Sequence, residues 1–159
     1  MNVRELLVEP TDYLAPAKIL DGLSAADAER RPAAHVHSVA EVVAHMTFWL
    51  EWFMRRCRGE AVPQPTSAAP GWPAIEPGSW PAWRERFLRG LDEIVAEGGD
   101  AAHLNAPVQP PIEFPALAHL TIGDALTHVA THNAHHLGQV ITIRQLLERW
   151  PPPAGSYTW

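Results

Sequence analysis

The sequence predicts an all-α protein, a four-helix bundle with long connecting loops, on three observations. Apolar residues recur at helical spacing through three long segments and more weakly through a fourth, and the long ones open on serine or threonine residues suited to capping. No strand pattern competes, because Pro107 to Pro115 is too broken by proline to form a central strand.

The first and weakest element lies near the N-terminus, where Tyr13, Leu14, Ala17 and Leu20 suggest a helix ending at Gly22, with Pro10 and Pro16 obscuring its start. Ser24 to Arg30 adds a short capped turn. The second helix runs from Ser38 to Arg58 on the stripe Val39, Val42, Val43, Met46, Trp49, Leu50 and Phe53. Ser38 and Glu41 form a capping box, the final arginines complement the dipole, and Gly59 suits a left-handed stop. A third helix, from Ser79 to about Gly98, carries Trp80, Trp83, Phe87, Leu91, Ile94 and Val95, opened by a serine cap with Pro81 tolerated in its first turn. The fourth begins at Thr121, capped with Asp124, and continues to about Trp150, where Pro151 to Pro153 stop it. Residues 61–78 and 99–120 are the long connections.

A chain of 159 residues fits one domain spanning 1–159, and 47% hydrophobic residues can supply its core without disulfides. The single Cys57 cannot form an internal disulfide and no signal segment opens the chain, so a cytoplasmic location is expected. No apolar run approaches the ~20 residues that span a bilayer, so no membrane partner is expected. The net charge of -6 argues against nucleic acid. Short arginine clusters at Arg55, Arg56 and Arg58 and at Arg84, Arg86 and Arg89 read as solvated helix surface or C-terminal turns.

The chain has nine histidines, and His128, His132, His135 and His136 fall in one short run of the last helix. At ~100° per residue, His132 and His136 share the apolar stripe with Ala125, Val129, Val140 and Ile143, whereas His128, His135 and Gln139 fall on its flank. His45 lies among Val42, Met46 and Trp49 on the buried face of the second helix. Burying one unsatisfied imidazole costs ~1–3 kcal/mol, and a shared divalent ion would remove that cost for all three. Three neutral imidazoles leave a coordination position open, as in catalytic zinc sites, and also suit nickel or iron. His128, His135 and Gln139 are candidates for an outer layer that orients the ligands or contacts substrate. His35 and His37 lie just before the Ser38 cap, near the open end of the bundle. No carboxylate follows His132, where Asn133 stands, so the metalloprotease H-E-x-x-H pattern is absent and no catalytic base is assigned.

Ser38-Val-Ala-Glu-Val-Val-Ala-His45-Met, followed much later by His132-Asn-Ala-His-His136-Leu-Gly-Gln139, resembles the DinB-like superfamily, also called DinB/YfiT-like metalloenzymes. The resemblance covers about Tyr13 to Leu147 and includes the approach Asp21-Gly-Leu-Ser, Arg31-Pro, and the exit Arg58-Gly-Glu. It implies a four-helix bundle whose divalent metal is bound by His45, His132 and His136. Zinc or nickel is the expected ion, with iron or manganese as further candidates. It also implies a homodimer, a small-molecule substrate and a low-molecular-weight thiol as partner, since characterised relatives include bacillithiol S-transferases and mycothiol-dependent maleylpyruvate isomerase. The chain departs from the family at Leu137, where relatives commonly carry arginine.

The function expected is therefore a metal-dependent enzyme of S-transferase or hydrolase type, activating a thiol or water for attack on a small electrophile. The alternative is a non-enzymatic metal- or ligand-binding bundle with a role in stress response. An open coordination position facing a pocket distinguishes the first from the second.

Overall fold

The computed structural model describes residues 2–156; the outermost residues of the predicted 1–159 domain lie outside them. The described residues contain seven α-helices and no strand. Short helices α1 (Val3–Leu7), α2 (Pro16–Ile19) and α3 (Ala25–Glu29) precede the long α4 (Val39–Cys57). After a single 3-10 turn at Ala69–Gly71 come α5 (Trp80–Ala96), α6 (Ala101–Leu104) and α7 (Ile122–Leu146). The all-α expectation holds, but only three helices are long.

The predicted first helix is replaced by pieces. Pro16 lacks an amide hydrogen and opens α2 instead of continuing a helix through Tyr13, and the chain leaves this region through Gly22 at a φ of 72°. The sequence reading missed α1, which Asn2 caps by accepting the Glu5 amide and which buries Val3 and Leu7. Both α1 and α2 pack on α7, so short segments stand where a fourth long helix was expected.

The central helix, α4, packs against α5 on one side and α7 on another. Its capping box forms as predicted, with Ser38 Oγ accepting the Glu41 amide and Glu41 Oε2 accepting the Ser38 amide. At its other end the Glu60 amide reaches back to the Arg55 carbonyl and the Gly59 amide to the Arg56 carbonyl, with Gly59 at a φ of 84°. This pair of bonds is the Schellman termination, and glycine carries its left-handed residue at no steric cost.

Two ends differ from expectation. Ser79 stands at the N-cap of α5 without capping it; the Glu29 carboxylate instead accepts the amides of Gly78 and Trp80, each at 2.9 Å. A carboxylate supplies both an acceptor and a charge favourable to the helix N-terminus, so α3 caps α5 from outside. The last long helix stops at Leu146 rather than near Trp150. Glu148 turns to a φ of 57° and the Arg149 amide bonds the Arg144 carbonyl, so the stop precedes the prolines.

Two arginines are buried. Arg144 donates to the carbonyls of Arg149 and Ile19, tying the end of α7 to α2. Arg56, read from sequence as part of a solvated cluster, is only 4% exposed and donates to the carbonyls of Val62 and Pro110. It therefore pins both long connections to α4.

Candidate metal centre

The α4–α7 packing brings His45 opposite two imidazoles spaced one helical turn apart. His132 and His136 lie with ring centroids 4.4 Å apart, and their centroids are 5.1 and 4.6 Å from that of His45. One nitrogen from each ring lies within 4.8 Å of the others, close enough for all three to hold a metal ion. His45 and His136 are buried and His132 is half-buried. No fourth histidine, cysteine or carboxylate joins this group among the described residues.

Hydrogen bonds at the far sides of two rings establish their orientation. The Gly71 carbonyl can only accept, so His45 donates to it from Nδ1 at 2.6 Å; a neutral ring then keeps its lone pair at Nε2. His136 Nδ1 likewise donates to Gln139 Oε1 at 2.7 Å, while Gln139 Nε2 donates to His135 Nε2 at 3.2 Å. His45 Nε2 faces His132 Nε2 at 3.2 Å. This is the donor set expected of metal-binding imidazoles, with the second nitrogen hydrogen-bonded to a fixed acceptor.

Burial also keeps these rings uncharged at neutral pH. Desolvation pushes the His132 pKa down to about 3, helped by the nearby His136 and His45. It lowers His45 as well, against the opposing Gly71 carbonyl, and lowers His136 against the opposing Gln139 amide. Neutral imidazoles are the form a metal ion requires.

Gly71 and Trp72 are the site residues that the sequence reading missed. The Trp72 indole stacks on His45 at 4.0 Å between centroids and on His37 at 3.9 Å, nearly parallel to both. His37 thus approaches the centre through Trp72, while its Nδ1 lies 3.7 Å from Glu41. Gly71 is buried, and a Cβ there would come within 3.1 Å of Trp49 Nε1. The Pro-Gly-Trp triplet was the available signal, but it lies in a connection without periodicity.

The flank candidates separate. His135 and Gln139 join the hydrogen-bonded layer behind His136, whereas His128 packs its ring against Phe53 at 4.9 Å. His128 also lines a cavity of about 240 Å³ that reaches His132. On the other side, His135 and Gln139 line a more open groove of about 560 Å³ with His35 and His37. A larger hollow, about 790 Å³, lies between residues 20–25 and α5 and includes none of the three central histidines. Leu137 is buried in the core. Burial, with Glu97 reinforcing it, pushes the Cys57 thiol up to about 11 despite Arg58, which disfavours its thiolate at neutral pH.

No helix among the described residues is long and apolar enough to cross a membrane. Neither a curated protein nor a solved structure matches the chain significantly. The family model of the DinB superfamily matches residues 16–140, a span that includes His45, His132 and His136, and the chain belongs to that superfamily.

Proposed function

We propose that His45, His132 and His136 hold one divalent metal ion, zinc or nickel, and that the protein is a metal-dependent transferase or hydrolase acting on a small electrophile. One observation carries this reading: three imidazoles converge, and two have their outward nitrogens committed to carbonyl acceptors. A bound ion would supply Lewis acidity, lowering the pKa of a thiol or water that reaches it. The chain's own groups perform the remaining tasks. Gly71 and Gln139 orient the rings, Trp72 covers one face of His45, and apolar side chains wall the cavity beside His132.

Three protein ligands favour an enzyme over a storage or structural site, because such a set leaves room for a reactant. Elemental analysis of protein purified without a histidine tag or chelator should find about one zinc or nickel ion per chain. His45→Ala should lose it. Metal-free protein, or full occupancy in that variant, would overturn the assignment. X-ray absorption should then show three imidazoles plus a ligand that an added thiol displaces; a shell closed by protein would instead favour the non-enzymatic bundle.

A further inference from the structure

The cavity beside His132 has features that catalysis at a metal does not by itself require. Its apolar walls come from Trp49, Leu50 and Phe53 on α4 and Val129 on α7, and His132 supplies part of the boundary. At about 240 Å³ it exceeds the ~150 Å³ apolar cavity that accepts benzene, so it has room for one ring and a short substituent. Gln64 brings a polar group to this apolar space. Its Oε1 is buried and has no hydrogen-bond partner.

A buried, unpaired acceptor is unfavourable unless something donates to it. The preceding residues hold Gln64 in place: Arg56 donates to the Val62 carbonyl and Trp52 Nε1 to the Pro63 carbonyl at 3.0 Å. The backbone that presents the amide is therefore tethered twice to α4. A tethered backbone of this kind favours a ligand whose donor the Gln64 amide can meet by a side-chain rotation alone, without reordering the loop.

We infer that this cavity binds the apolar portion of the substrate, a single-ring or comparably compact group bearing one hydroxyl or N–H donor that Gln64 Oε1 accepts. The assignment of the occupant as substrate rests on the proposed metal chemistry; occupancy of the cavity does not. The inference narrows the substrate from any small electrophile to one with a compact apolar body and a single donor. It also places that body against His132, on the enclosed side of the three histidines.

Phenol and toluene form the test pair, being alike in shape and different in the donor. Each would be titrated into the full-length protein by NMR, with metal content measured on the same preparation. Both should bind saturably and compete with each other. Gln64→Leu should weaken phenol about tenfold while leaving toluene within about twofold, because only phenol loses a partner. Leu117→Trp, which enlarges a half-buried lining residue, should exclude both ligands while the circular dichroism spectrum stays native. Failure of either ligand to saturate the native protein, equal weakening of both by Gln64→Leu, or unchanged binding in natively folded Leu117→Trp would each overturn the inference. Metal-loaded protein that binds neither probe would defeat the cavity assignment and leave the metal reading intact. Metal-free protein with Gln64-dependent phenol binding would support the cavity assignment and defeat the metal reading.

Discussion

His45 and His136 are oriented by the same chemistry, an Nδ1–H donated to a carbonyl oxygen, but the two acceptors come from different kinds of structure. Gln139 lies one turn along α7 from His136, so that helix builds both members of the pair. Gly71 lies 26 residues from His45, in a proline-rich connection that must fold back across α4 before the bond exists. One end of the centre therefore depends on local helix geometry, whereas the other depends on the tethering of a loop.

The largest expected effect tests whether both ends serve one ion. His45→Ala and His136→Ala should each reduce metal affinity by more than about 100-fold, read by competition with a chelator, because each would remove one of the three proposed ligands outright. If only one did so, the two ends would not share a site. Next comes the loop tether. Arg56→Met should destabilise the protein by about 2–3 kcal/mol in urea unfolding, since two carbonyls lose a buried partner, and should weaken metal binding as a consequence. The corresponding change behind His136, Gln139→Leu, should cost about tenfold or more in metal affinity with little loss of stability. Opposite outcomes would reverse the assignment of the loop-held and helix-held ends.

A smaller effect concerns the start of α4. Burial opposes ionisation of Glu41, but the Arg31 guanidinium and the Ser38 amide outweigh it and hold its pKa at about 2, below its ordinary 4.5. Its contribution is therefore present above about pH 4.5 and fades as pH falls toward 2. For this partly exposed cap the stability difference between native protein and Glu41→Gln should be about 1 kcal/mol or less at neutral pH, closing over that acidic window in thermal unfolding. His128→Ala should have the least effect: metal affinity within about twofold, because its ring packs on Phe53 instead of joining the layer behind the ligands.

The same contrast explains what the sequence disclosed. Both capping boxes, the Gly59 stop and the converging faces of α4 and α7 follow from local pattern, and so does the place of His45, His132 and His136 on those faces. The Gln139 partnership was equally accessible, being an i, i+3 relation on one helix. Gly71, Trp72 and the burial of Arg56 were not, because each depends on where an irregular connection returns. Glu29 capping α5 is of the same kind: its partner amides lie 49 and 51 residues away, and the adjacent Ser79 offered a more obvious local answer. The predicted first helix failed for the opposite reason, since apolar spacing suggested continuity where Pro16 begins a separate short segment.

Gly71 has a bearing on how this centre could be re-engineered. Its missing side chain leaves space that Trp49 occupies, while its carbonyl oxygen holds His45; Trp49 also forms a wall of the cavity beside His132. Substitution at position 71 would therefore disturb the cavity and His45 together, and Gly71→Ala should behave non-additively with Trp49→Phe in a double-mutant cycle. A library that varies cavity residues with Gly71 held constant would sample none of that coupling, and new specificities would be most accessible where positions 49 and 71 change as a pair.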